Sequence, residues 1–315
     1  MDKLERQDIA MVQLGRFLKN SGYCFTTVTP KTHALVNGRA GNEWACDLEG
    51  IFGWNRPFQA QSAPIEILDL MHAAGVAQSH GDGWRSMVRA STLNGNLYFH
   101  SSYPTTETDA VFFGPDTYRF VSAIDHYLMT GRTVHRAVDI GCGAGPGTVA
   151  VALRQPWAEV SAVDINDAAL RLARINATLA GVDNIRVLYS DLLRNVPGEF
   201  DLIVANPPYL NDSARRAYRH GGGPLGAGLS LAIVDAALQH LSPGGALLLY
   251  SGAAIVQGVD AFRLAVEQKL RVAKFQWQYR EIDPDVFGEE LLCPAYAGAD
   301  RIAAVLLTAS RATVS

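Results

Sequence analysis

Apolar positions recur at helical spacing in two short stretches near the start of the chain. Ala10, Met11, Leu14, Phe17 and Leu18 fall on one face of a helix that stops at Gly22. Ile67, Leu70, Met71 and Ala74 fall on another that stops at Gly75, with Ser62 and Pro64 marking its start. Over 84–101, Met87, Val88, Leu93, Leu97, Tyr98 and Phe99 flank Asn94-Gly95, a pair that tolerates positive φ and predicts a hairpin. Helices followed by a hairpin fit a small α+β module, winged-helix-like in its order of elements.

The pattern changes character near residue 105, which divides the chain into a recognition domain, 1–105, and a larger domain, 106–315. Beyond residue 130, short β-branched runs alternate with helical stretches, as they do when crossover helices join the strands of a parallel sheet. Strands are predicted at 137–140, 160–163, 185–188, 202–205, 246–250, 272–277 and 302–307. Leu170, Ala173, Ala177 and Ala180 line one intervening helix, and Leu231, Val234, Leu238 and Leu241 line another. The fold class is therefore α/β: a seven-stranded, doubly wound, Rossmann-like domain with a smaller N-terminal α+β domain. Such sheets bind ligands at the carboxyl ends of their strands.

Composition narrows the function classes. With 48% hydrophobic and 18% charged residues, the 315-residue chain can bury a core, which excludes disorder and coiled coil. A net charge of -4 gives no basic footprint for broad binding to nucleic acid or an anionic membrane. Cys24, Cys46, Cys142 and Cys293 are widely spaced with no CxxC, so reduced thiols and no metal site are expected; the 8 histidines show no ligand spacing either. Charges near the N-terminus stand where a signal peptide would be apolar, so a soluble, cytoplasmic protein is expected.

The first predicted strand of the larger domain runs into Asp139-Ile140-Gly141-Cys142-Gly143-Ala144-Gly145-Pro146-Gly147. A dinucleotide fingerprint would need glycine or alanine where Pro146 or Thr148 stands, which weakens a nicotinamide reading. An acid two residues before the first glycine suits a ligand carrying an ammonium group. Asp164, at the end of the next strand, can accept both hydroxyls of a ribose. Asp191, after the third, can accept an adenine amino group. Each carboxylate alone also fits a turn or helix cap. Together they describe S-adenosylmethionine, held by Asp139, Gly141, Cys142, Gly143, Gly145, Asp164, Ile165, Asp191, Leu192 and Asn206.

The fourth strand ends in Asn206-Pro207-Pro208-Tyr209. An amide or exocyclic aromatic nitrogen delocalises its lone pair, so it attacks poorly until that pair is turned toward the electrophile. The Asn206 side-chain oxygen and the Pro207 carbonyl, on a proline-stiffened backbone, can accept its hydrogens, while Tyr209 stacks on the planar group. These four residues are the candidate catalytic set, with no metal required.

Asn-Pro-Pro-Tyr following the glycine loop resembles class I methyltransferases that modify planar nitrogen, over roughly 110–308. The chain is most similar there to the HemK-type enzymes, which methylate the glutamine side-chain amide of peptide release factors. Phe112-Phe113-Gly114-Pro115-Asp116-Thr117 matches their substrate-side segment, with Gly114 in place of the usual basic residue. The glycine-rich stretch 221–228 matches the loop over their site. The N-terminal hundred residues do not match their helical substrate domain, and 281–290 lies outside their core pattern.

The resemblance implies a protein glutamine as acceptor and a protein as partner, with no membrane. The alternatives are an exocyclic amine of RNA or DNA, flipped into the site, a small molecule, and a non-catalytic S-adenosylmethionine-binding module. Arg215, Arg216, Arg219 and His220 could grip phosphates or an acidic partner, or form a solvated helix face. Trp44, Trp54, Phe58 and Arg56 could form a substrate face or pack in the core, and 281–290 could rim the site or be an exposed crossover.

Overall fold

The computed structural model describes residues 3–312. The N-terminal part contains α1 (Lys3–Asn20), α2 (Pro30–Asn37) and α3 (Ile65–Ala74), then the antiparallel pairs β1 (Ala77–His80) with β2 (Gly83–Ser86) and β3 (Val88–Leu93) with β4 (Asn96–Ser101). The expected apolar stripes are buried: Ala10, Met11, Leu14 and Leu18 on α1, Ile67, Met71 and Ala74 on α3. Asn94 and Gly95 turn the β3–β4 hairpin with φ of 50° and 76°. The β1–β2 hairpin left no signal in the sequence because β1 is largely exposed and has no alternation to read.

The larger part contains α4 (Pro115–Leu128), β5 (Arg136–Ile140), α5 (Pro146–Arg154), β6 (Glu159–Asp164), α6 (Asp167–Ala180), β7 (Ile185–Tyr189) and β8 (Phe200–Ala205). It continues through α7 (Gly228–His240), β9 (Leu241–Val256), β10 (Val259–Asp260), α8 (Ala261–Val272), β11 (Gln276–Asp283) and β12 (Arg301–Ser310). The sheet runs β11-β12-β9-β8-β5-β6-β7, with β10 on the end of β9. The strands from β7 to β9 are parallel, and β12 runs against both neighbours. This is a doubly wound, Rossmann-like α/β sheet whose order reverses beside β5, where a crevice opens at the strand ends.

Successive residues feed the two faces of the sheet. Leu202, Val204, Leu248 and Tyr250 pack with Phe120, Val121 and Ile124 of α4 and Val149 and Val151 of α5. Ile203, Ala205, Leu247 and Leu249 pack on the other side with Ile233 and Val234 of α7 and Phe262 and Val266 of α8. The strand expected at 272–277 is displaced. Helix α8 runs on through Val272, which is 80% exposed, and Lys274 turns the chain at φ 59° before β11 starts at Gln276. The β-branched residue there is a solvent-facing helix end.

The N-terminal part does not stand apart from the sheet domain. Ile175 and Leu179 of α6 join the core built around Met11, Leu14, Phe52 and Phe99. Asn176, fully buried, accepts from the Phe99 amide at 2.8 Å and donates to the Phe99 and Ala144 carbonyls at 3.0 and 2.8 Å. One side chain thus ties β4 to the glycine loop.

Candidate active site

The glycine loop forms because β5 must stop and α5 must start within a few residues. Gly145 makes the turn at φ 83°, where an added Cβ would sit 3.3 Å from the Ala173 backbone of α6. Asp139, 2% exposed, uses one oxygen, Oδ2, to accept both the backbone N–H and the hydroxyl of Thr148 at 2.8 Å. Its other oxygen has no partner among the described residues, and the residue borders the cavity at the strand ends. Burial pushes this carboxyl up to about 7, against the pull of the Thr148 bonds.

Asp164, at the end of β6, accepts from the Gly143 amide at 3.0 Å and the Asn166 amide at 2.9 Å. Burial raises its pKa above the usual carboxylate range. The same cavity is lined by Gly141, Cys142, Gly143, Ile165, Asp191, Leu192 and Asn206. Gly145 is not on its wall; it shapes the loop from behind. Ile165 is 54% exposed, an apolar side chain left open at the cavity edge where a flat ring can lie on it. Burial pushes the Cys142 thiol well above its ordinary value, with Asp139 and Asp164 acting in the same sense, so this sulfur is no nucleophile. Asp191 faces the cavity but is exposed and paired to Arg194 at 2.6 Å.

Asn206, Pro207, Pro208 and Tyr209 lie at the end of β8 on the wall of this same cavity. The Asn206 side chain makes no hydrogen bond among the described residues, so its oxygen is available to a ligand. Tyr209 is 6% exposed, and its hydroxyl donates to Asp116 Oδ2 at 2.5 Å. Asp116 Oδ1 accepts from the Tyr250 hydroxyl at 2.8 Å and from Arg119 at 3.1 Å, and Arg119 also meets Asp283 at 2.6 Å. The motif begins 67 residues beyond Asp139 in sequence, yet it shares one crevice with the glycine loop.

Residues 120–256, which span the glycine loop and the Asn-Pro-Pro-Tyr turn, match the family described as "Methyltransferase small domain". The chain is 37% identical over 165 residues to a release factor glutamine methyltransferase of Deinococcus radiodurans, covering 49% of this chain and 55% of that one. It is 38% identical over 176 residues to a ribosomal protein uL3 glutamine methyltransferase of Xanthomonas campestris, covering 52% and 57%. A 4-amino-L-phenylalanine/4-methylamino-L-phenylalanine methyltransferase of Streptomyces pristinaespiralis is 33% identical over 170 residues, covering 50% and 56%. The chain thus spans a little over half the length of these relatives. Among solved structures, Trm5b of Pyrococcus abyssi shares the fold, with a TM-score of 0.50 at 15% identity over 78% of this chain and 68% of that one.

The remaining candidates sort by contact. Arg216 is clamped on Asp212, through Nη2 at 2.5 Å and Nε at 3.0 Å, and Arg219 is bonded to Glu290. Their charge is therefore matched within the chain, and 213–217 is a turn-rich stretch with no helix face. The glycine-rich stretch 221–228 lies against the motif's own backbone: a Cβ at Gly221 would come within 2.6 Å of the Pro208 carbonyl and 2.8 Å of Tyr209 Cα. Gly221, Gly226 and Gly228 serve close packing, and no glycine of the stretch lines the cavity. The 281–290 segment does reach the rim, through Phe287, which meets Tyr209 edge-on at 5.9 Å. Trp44, Trp54, Arg56 and Phe58 do not touch the cavity; Phe58 is fully buried and Trp54 packs on Phe25.

Sequence reasoning assigned no role to Asp116, Tyr250 or Phe287. Asp116 stood inside the quoted 112–117 segment, and a tyrosine closing a buried apolar strand run was the available signal for Tyr250. Among the described residues, no group of His, Cys, Asp and Glu could hold a metal ion, and no helix is long and apolar enough to cross a membrane.

Proposed function

We propose that the protein is an S-adenosylmethionine-dependent N-methyltransferase whose acceptor is a planar amide nitrogen, foremost a protein glutamine side chain. The observation that carries this reading is Asn206. A side-chain amide without an internal partner stands on the wall of the cavity that Asp139, Asp164 and the glycine loop also line. The residues present fit the cofactor: the open oxygen of Asp139 suits an ammonium group, Asp164 a ribose diol, and Ile165 and Leu192 an adenine face. When bound, S-adenosylmethionine supplies an electrophilic methyl group on a sulfonium.

The protein's task is orientation. Asn206 Oδ1 and the Pro207 carbonyl accept the two amide hydrogens and hold the nitrogen with its lone pair directed at the methyl group. Tyr209, which contributes its ring to the same wall, fixes the plane of the amide. The amide proton leaves to solvent after the nitrogen has bonded, so no general base needs to stand beside it. The internal pairing of Arg216 and Arg219 leaves them little charge for phosphates, which disfavours a nucleic acid acceptor.

A small arylamine is the second reading. It draws on the relative named for 4-amino-L-phenylalanine and on the aromatic lining by Phe112, Tyr209, Tyr218 and Phe287. Parallel assays with labelled S-adenosylmethionine test both, one with a glutamine-containing peptide and one with 4-aminophenylalanine. Label in the peptide alone is expected; label in the arylamine alone selects the second reading, and label in neither counts against both.

A further inference from the structure

Tyr209 is held from three directions. Gly252 of β9 has no Cβ, and one placed there would run into the Tyr209 ring. Phe287 meets the ring edge-on, with interplanar angle 72°. The hydroxyl donates to Asp116, which lies in the first turn of α4 and is 4% exposed. Packing alone confines a phenol ring but leaves it free to tilt, whereas a bond at the hydroxyl removes that freedom.

Asp116 is itself fixed by more than Tyr209 requires. It accepts from Tyr250 of β9 and from Arg119, one turn along α4, and only the guanidinium can offset its charge. Arg119 also pairs with Asp283, the last residue of β11, and the chain then turns through four residues to Phe287. Phe287 stands at φ 54° with Arg219 over its ring at 5.9 Å. A single buried carboxylate is therefore wired both to the motif tyrosine and, through one arginine, to the segment that presents the second aromatic ring of the rim.

We propose that Asp116 is the positioning residue for Tyr209, and that the Arg119–Asp283 pair extends its hold to Phe287, setting both rings for a planar acceptor. This inference rests on the reading of the protein as an N-methyltransferase. In such a reaction the acceptor's plane must match the direction of attack, and misplacement on the order of 1 Å costs about 100-fold in rate. Loss of the Asp116 anchor lowers the turnover rate while leaving the cofactor's own contacts at Asp139 and Asp164 intact.

The test is a kinetic cycle of Asp116→Asn, Tyr209→Phe and the double variant, with tritiated S-adenosylmethionine and cell lysate as acceptor. Each single variant is expected to lose about 10-fold or more in kcat, with the cofactor KM within about twofold of wild type, and the double variant to lose no more than the worse single. A purely structural carboxylate would instead give losses that multiply. If Asp116→Asn does not fold, Tyr250→Phe takes its place in the cycle, with a smaller loss and the same lack of multiplication expected. Undiminished turnover in the Asp116 variant, or multiplying losses in either cycle, overturns this inference alone. A wild-type protein that transfers no label overturns the N-methyltransferase reading and this inference with it.

Discussion

Asp164 accepts the Gly143 amide at 3.0 Å, so the carboxylate proposed to hold a ribose is also the one that holds the glycine loop. Asp164→Ala removes both functions. Cofactor affinity is expected to fall by about 1 to 3 kcal/mol, the scale for charge-assisted hydrogen bonds. Calorimetry with S-adenosylhomocysteine checks this, and unchanged affinity in a folded variant would contradict the assignment.

Asp139 is expected to make cofactor binding pH-dependent. Its carboxyl stands at about 7 in the folded protein against an ordinary 3.8, because burial penalises the charge. The folded state holds this proton more tightly than the unfolded one, so the group's contribution to stability is fully present below about pH 4 and is lost as pH rises toward 7. Binding has the opposite slope: an ammonium group favours the ionised carboxylate. Affinity for S-adenosylhomocysteine should therefore climb from pH 6 to about 8 as the Asp139 carboxyl ionises. Asp139→Asn should flatten the lower limb, and an unaltered pH profile in that variant would contradict the role.

Asn206→Ala is expected to reduce methyl transfer at least about 100-fold while leaving S-adenosylhomocysteine affinity nearly unchanged, since the side chain orients the acceptor. Comparison of transfer rate and calorimetric affinity in the same preparation checks the split. Full turnover in the variant would make the motif structural.

Asn176→Ala tests the tie between the N-terminal part and the glycine loop. The Phe99 amide and carbonyl and the Ala144 carbonyl would each lose a buried partner, which should cost about 2 to 4 kcal/mol. Urea denaturation checks this, and a change below about 1 kcal/mol would show that the tie is dispensable.

Most of the sheet was legible because its strands are short apolar runs and the helices at 167–180 and 228–240 carry their own apolar stripes. The residues proposed for the cofactor share one cavity because Asp139, Asp164 and Asp191 stand at or near strand ends, and strand ends converge in space. The Tyr209 anchor was not. Asp116, Arg119, Tyr250 and Asp283 span 168 positions and become neighbours only when α4 packs on β9 and β12 reverses direction to bring β11 alongside. The 272–277 strand misled for a local reason: Val272 is β-branched, but the helical set Phe262, Val266 and Leu270 decides the segment. In the 221–228 stretch, the close approach of backbones explains Gly221, Gly226 and Gly228.

Methyl transfer to a planar nitrogen oriented by Asn206 is the reaction proposed for this site. The most direct measurement incubates the wild-type protein and Asn206→Ala with methyl-labelled S-adenosylmethionine and cell lysate, then locates the label by fractionation and peptide mass spectrometry. Label is expected on a glutamine side chain in the protein fraction with the wild type, and almost none with the variant. Absence of label from every fraction, or equal labelling by the two proteins, would contradict it.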